Sequence, residues 1–293
     1  MVSKKKILYF TSFSHTITHA MTLTLAPLLP LIRSDLSLTN AETASFAFIS
    51  FLMYGAMALP IGFISDRIGS LKVIKIGLIL FIVSIAGIFL SKGPFTLGLS
   101  VLLLGMGAGT YHPAGLSLVS RIYPKDMGKA MGFNGLLGNL GEASSPIIAA
   151  AVGVSIGWRY PSLCWSVPIF ILLLVSLTIK DSKIKDHINE EESHDFSYKE
   201  ETKKLISKEF LLYILILLFR GLFYTGTVLL LTTFAKDVLS LKVLIGGLIT
   251  TILIVSGMPG QIIGGKISDK FGYKKPLFFL TFICSISIAF IAN

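Results

Sequence analysis

The chain has 293 residues, of which 53% are hydrophobic and 14% charged, with a mean hydropathy of +0.78. A soluble domain carries about 25% charged residues, so too little polar surface is available here for a globule facing water, and a bilayer is the solvent that fits. The net charge of +10 could suggest a nucleic-acid partner, but its placement along the chain argues against one.

A spanning helix needs about 20 apolar residues, and nine stretches nearly free of Asp, Glu, Lys and Arg supply them. Span 1 is 7–32. His15, His19 and Thr22 stand at i, i+4 and i+7, which puts them on one helix face. The stretch is long and runs into Pro27 and Pro30, unlike a cleavable signal. Spans 2 and 3 are 43–65 and 76–91, joined by Gly62-Phe-Ile-Ser-Asp66-Arg67-Ile-Gly69-Ser-Leu-Lys72. Gly62 and Gly69 permit tight turns and close helix approach. Span 4, 93–120, carries the run Gly-Thr-Tyr111-His112-Pro113-Ala-Gly.

Span 5, 130–158, holds Gly132, Gly135, Gly138 and Gly141, then Ser145-Pro146 and Ala149-Ala150. Small faces let helices pack closely in lipid, and Pro bends them. Glu142 lies about fourteen residues into this helix, roughly 20 Å deep at the rise of an α-helix. A charge at that depth costs several kcal/mol unless it is paired, hydrated or protonated, which makes Glu142 a candidate proton carrier. Span 6 is 160–179. Cys164 and Cys284 fall inside apolar spans and read as small core residues without a disulfide. Residues 181–208 are a polar linker of both signs, with a helical stretch expected near 198–205. Span 7, 210–235, contains Arg220, which stays charged and needs an anion, an aromatic face or water. Tyr224 and Thr227 share its face. Spans 8 and 9, 243–265 and 276–293, are joined by Gly265-Lys-Ile-Ser-Asp269-Lys270-Phe-Gly272-Tyr-Lys-Lys.

With a cytoplasmic N-terminus, twenty Lys and Arg side chains fall on the inner side and five on the outer. The positive-inside rule then fixes the orientation of a multi-pass protein of the cell (plasma or inner) membrane. This also explains the charge without nucleic acid. No G-x-x-x-x-G-K-[ST], G-x-S-x-G or H-E-x-x-H run is present, so neither an enzyme, nor an ATP-driven engine, nor a cofactor is expected. The three histidines are candidates for a solute or proton site. No metal site is expected of them, because no acidic ligand or ordered spacing accompanies them.

The loops after spans 2 and 8 both read G-x-I-S-D-[RK]-x-G, which indicates two parallel halves. With this signature, the chain resembles the major facilitator superfamily. The Tyr111-His112-Pro113 run is similar to the branch that includes fosmidomycin-resistance-type exporters. The resemblance implies an all-α polytopic membrane bundle of six helices plus an incomplete second half of about three. Residues 1–180 would form the first bundle, 181–208 the linker and 209–293 the incomplete bundle. The family has twelve spans, so the chain reads as truncated after the ninth. Gly62, Asp66, Arg67 and Gly69, with Gly265, Asp269, Lys270 and Gly272, would be gate latches. The family's antiporter branches carry G-x8-G-x3-G-P-x2-G-G in span 5. Gly132, Gly141 and Pro146 match it, while Ser145, Ala149 and Ala150 replace glycines, which favours export by antiport. Family members often carry an Arg in span 4 where this chain has Val101, so no role passes to that position. His15, His19, His112, Glu142, Arg220 and Tyr224 would line a substrate or proton pathway. The function expected is secondary active transport of a small-molecule substrate across a lipid bilayer, driven by the proton gradient. The alternative is a non-transporting fragment or partner subunit.

Overall fold

The structure, a computed structural model, describes residues 3–179, 207–272 and 274–291. Among these residues all regular structure is helical, and each of the nine expected spans is present as one helix or an interrupted one. Among the described residues, five helices are long and apolar enough to cross a membrane: Asn40–Ile68, Ser70–Leu90, Pro94–Ile122, Phe210–Asp237 and Val243–Gly260. Pro161–Leu177 is a shorter apolar helix. Large apolar side chains such as Phe48, Leu59, Leu90, Phe95 and Leu177 point outward. An apolar exterior this extensive is matched to hydrocarbon rather than water, and the chain is a multi-pass membrane protein.

Spans 1 and 5 are less apolar because they carry polar and glycine faces that pack against each other. In span 1, Ser3 caps the helix Lys4–Thr24 by accepting a bond from the Lys5 N–H. The expected continuous 7–32 segment is broken. Pro27 cannot donate to the helix ladder, a 3-10 turn Ala26–Leu28 follows, and the helix resumes as Leu29–Asp35. Thr11, Ser14, Thr18, Thr22 and Thr24 each donate to the carbonyl four residues earlier. That satisfies hydroxyls which would otherwise be costly in an apolar setting. Span 5 is one helix, Met127–Ile156. At Gly141 any side chain would run into the backbone of Thr16, and Thr16 in turn donates to the Leu137 carbonyl at 2.8 Å. By contrast, the space beside Gly132 and Gly135 is open.

Span 2 starts with a capping box, Thr39 with Glu42, and ends at Gly69 with φ +95°. That left-handed value is the one glycine accepts without strain. Gly272, at the same place in the second loop, has φ +74°, so both copies of the motif end in a glycine at positive φ. No close approach exists at Gly62, where the neighbouring space is open. Cys164 is exposed rather than buried as expected, because Pro161–Trp165 is a 3-10 segment that turns it outward.

Compactness divides the chain after residue 251. The first unit is Met1–Thr251 and the second Ile252–Asn293. The expected linker falls outside the described residues except for Ser207 and Lys208. There, Ser207 caps the helix Lys208–Asp237 by accepting from Phe210 N–H at 3.2 Å. The second unit consists of the remainder of the helix Val243–Phe271 and the helix Lys274–Ile291. In the latter Phe278 and Phe282 stack with centroids 6.4 Å apart.

At the end of the first unit remote from the N-terminus, here the far end, two polar ties join the spans. The Asp35 carboxylate accepts from the Trp158 indole at 3.0 Å and from Arg159 at 2.9 Å. These bonds hold its carboxyl below the usual carboxylate range. Arg33 makes a bidentate pair with Asp237, both contacts at 2.6 Å, and also donates to Asn40.

Candidate functional site

The packing of spans 1, 2, 4, 5 and 7 assembles a polar cluster inside the first unit. It starts on span 1, where one helical turn places His19 beside His15 with their Nε2 atoms 3.0 Å apart. His15 Nδ1 lies 3.0 Å from the Asn134 backbone carbonyl. A carbonyl only accepts, so that nitrogen carries the proton, and His15 Nε2 presents its lone pair to His19. The His15 ring stacks on Tyr111 with centroids 4.7 Å apart and planes 17° apart. Gly138 makes room for this. A Cβ there would stand 2.6 Å from the imidazole, so the glycine face of span 5 is the floor on which the histidine lies.

Span 4 brings in the third histidine. Its helix Pro94–Tyr111 widens into a π-turn, His112–Leu116, beginning at His112 and containing Pro113. Such turns re-aim side chains and are frequent at functional sites. His112 Nδ1 meets the Tyr54 hydroxyl of span 2 at 2.9 Å. The ring is T-shaped to both span 1 histidines, at 5.1 Å from His15 and 5.5 Å from His19. Nitrogens of all three imidazoles lie within 4.8 Å of one another.

Glu142 and Tyr224 close the cluster. Glu142 sits 3.8 Å from His19 Nδ1 with its side chain mostly covered, and it accepts a hydrogen bond from Tyr224 at 3.2 Å. Five of the six pathway candidates therefore come together. Arg220, one turn before Tyr224, is exposed and makes no hydrogen bond or ion pair among the described residues. Thr22 and Thr227 donate to the carbonyls of Thr18 and Phe223 on their own helices. Neither needs a solute to be satisfied.

Sequence reasoning missed Asn134 and Tyr54 and took Tyr111 only as part of a motif. Asn134 is fully buried, donates to Tyr111 at 2.8 Å and Ser12 at 3.4 Å, and its Oδ1 has no donor among the described residues. Its signal was an amide among glycines on an apolar helix, a costly placement that implies partners. Nothing in the spacing links Tyr54 to His112, since only the packing of spans 2 and 4 joins them.

The remaining candidates lie elsewhere. Ser145 donates to the Ala20 carbonyl at 2.6 Å and meets Thr24 at 3.1 Å, which the Trp165 indole also reaches at 2.9 Å. Pro146 is buried in the same helix. Asp66 pairs with Arg121 of span 4 at 3.5 Å, both exposed, and Arg67 is exposed beside it. The surroundings of Gly265 and the side chain of Asp269 lie outside what the structure describes, while the Lys270 ammonium stands 5.3 Å over the Phe271 ring.

Residues 8–292 match the Major Facilitator Superfamily. Over 160 residues, 54% of its length, the chain is 26% identical to the "Probable nitrate transporter NarT" of Staphylococcus carnosus (strain TM300). The protein of the same name from Staphylococcus aureus (strain JH9) matches to the same extent. In both the match takes in 41% of the relative, so the chain spans about two-fifths of the length of the curated relatives it matches. Among solved structures, a bacterial homologue of the human lysosomal transporter Spinster, inward-facing and occupied, superposes with a TM-score of 0.70 at 17% identity. That match covers 92% of this chain and 62% of the other. A D-xylose-proton symporter superposes at 0.67 with 15% identity, covering 91% and 69%. These likenesses establish the fold.

Proposed function

The chain belongs to the Major Facilitator Superfamily, a family of transporters rather than enzymes, and on that premise we propose that it moves a small solute by secondary active transport. The path is the cluster of His15, His19, His112, Glu142 and Tyr224. The observation that carries this reading is the bond from Tyr224 of span 7 to Glu142 of span 5, 3.2 Å long and beside His19 of span 1. It joins the first six spans to the seventh at the polar centre of an otherwise apolar bundle. Breaking and remaking such a link between spans is the kind of event that alternating access requires.

The solute we assign is a small anion. Support comes from the nitrate transporters named among the relatives and from Arg220, a fixed positive charge one turn from Tyr224. The driving force we assign is the proton gradient, and the direction is export by antiport. The small-residue pattern of span 5, from Gly132 through Gly141 to Pro146, supports both. The run at Tyr111-His112-Pro113 supports the fosmidomycin-resistance-like branch. The N-terminus is assigned to the cytoplasm of a cell-membrane protein on the distribution of Lys and Arg, and the loops holding Asp66 and Asp269 are assigned as gates.

The test is nitrate flux in vesicles containing the purified chain, with and without an imposed pH gradient. Expected is gradient-stimulated flux that falls roughly tenfold in Tyr224→Phe, since a hydrogen bond to a carboxylate contributes about 1.5–3 kcal/mol. Flux no greater than in protein-free vesicles would overturn the reading and favour the non-transporting alternative.

A further inference from the structure

We propose that His15, His19 and His112 form a binding site for a first-row divalent cation of the zinc class. Three features of the cluster carry this, none of which was visible in the spacing of the sequence. The first is convergence, since nitrogens of the three imidazoles lie within 4.8 Å of one another, and His15 Nε2 and His19 Nε2 are 3.0 Å apart. In a tetrahedral site with metal–nitrogen bonds of about 2.0–2.1 Å, neighbouring ligand nitrogens are about 3.3 Å apart. The span 1 pair is within about 0.3 Å of that separation, and the third imidazole needs a shift of at most about 1.5 Å, which side-chain rotation supplies.

The second feature is the outer layer. Each imidazole has its Nδ1 directed to a polar partner: the Asn134 carbonyl at 3.0 Å, the Tyr54 hydroxyl at 2.9 Å and the Glu142 carboxylate at 3.8 Å. Metal-bound histidines almost always donate their second nitrogen to a carbonyl, carboxylate or water, which fixes the ring and its tautomer. Here that layer is in place and leaves Nε2 of each ring outside it, with His15 Nε2 and His19 Nε2 facing each other. On binding, His19 moves its proton from Nε2, where it faces His15, to Nδ1, where it faces Glu142, and His112 holds its proton on Nδ1 toward the Tyr54 hydroxyl. Each imidazole stays neutral, and no group gains or loses a hydrogen.

The third feature is charge. A divalent ion within the bundle is costly without an anion nearby. Glu142 supplies one negative charge next to the ligand set, and three protein ligands leave a fourth position for water or a solute. Imidazole ligands select zinc, copper, nickel or cobalt over calcium or magnesium, which prefer oxygen.

The experiment is a titration of Co2+ into the tag-free, metal-stripped full chain in detergent, read by visible absorption, followed by displacement with Zn2+. Expected is one Co2+ per chain with the intense bands of four-coordinate cobalt, lost on adding Zn2+. His15→Ala and His112→Ala should each weaken binding at least tenfold, and replacing the two other histidines of the sequence, His187→Ala with His194→Ala, should leave it unchanged. Tyr54→Phe and Glu142→Gln keep the ligands and side-chain volume, and should weaken binding about tenfold. These decide the matter if the histidine variants do not fold. Absence of bound Co2+, or one equivalent retained when all three histidines are replaced, would overturn the site. The readout needs no solute flux, so it stands or falls separately from the transport reading.

Discussion

Gly141 and Gly132 belong to the same small-residue pattern and look equivalent in the sequence, yet they face different surroundings. Gly141 abuts the Thr16 backbone and Gly132 faces open space. Gly141→Ala should therefore destabilise the protein by about 1–3 kcal/mol through overpacking. Gly132→Ala should stabilise it by roughly 0.5–1 kcal/mol, because Ala loses less backbone entropy in a helix. Thermal unfolding of the two variants in one detergent checks the sign of each. Equal effects would mean that span 5 does not rest on span 1 at Thr16. The same contrast shows what was legible at this scale. Cost in an apolar setting pointed to His15, His19, His112 and Glu142, and three spans bring them together. Tyr54 gave no such signal, since a tyrosine on a membrane helix is not costly. Arg220 gave the strongest signal but joins no partner among the described residues, because a charge announces its need and not its neighbour.

At the level of elements, the charge-free segments gave nine spans in the right order, because hydrocarbon demands helices of a minimum length. What they could not give was the interior of each span. The break after Thr24 and the π-turn at His112 both follow from prolines, Pro27 and Pro113, but a proline fixes only the loss of a ladder bond. Whether the helix kinks, breaks or widens depends on its neighbours. The far-end tie from Asp35 to Trp158 and Arg159 was equally hidden, since it joins residues from distant parts of the chain. It has a pH signature. The carboxyl is held below its usual range by those two bonds, so their contribution is fully present above the ordinary aspartate value of about 3.9. It is lost as pH falls through the lower folded-state value. Thermal stability of the wild type should therefore decline more steeply than that of Asp35→Asn as pH falls below about 4. Parallel curves would mean that Asp35 is not held in solution by Trp158 and Arg159.

For the whole first unit, the polar cluster lies at mid-bundle while the Arg33–Asp237 pair joins spans 1 and 7 at the far end. Tyr224 and Asp237 belong to one helix, Lys208–Asp237, so span 7 is tied to the first bundle at two heights, by a hydrogen bond to span 5 and by an ion pair to span 1. If transport proceeds by alternating access, these ties must part together each cycle. Neither can then be too strong. An exposed ion pair contributes about 0.2–1 kcal/mol, more when it is bidentate, enough to bias a closed far end without locking it. Reversing one charge, as in Arg33→Glu, places two carboxylates at this contact and should hold that end apart, lowering flux. Adding Asp237→Arg restores the attraction with its polarity exchanged and should return flux toward the wild-type rate. Flux through vesicles carrying each single variant and the double variant, at equal protein content, measures this. A double variant no better than Arg33→Glu alone would show that the pair is incidental and that closure of the far end rests on the apolar packing of spans 1 and 7.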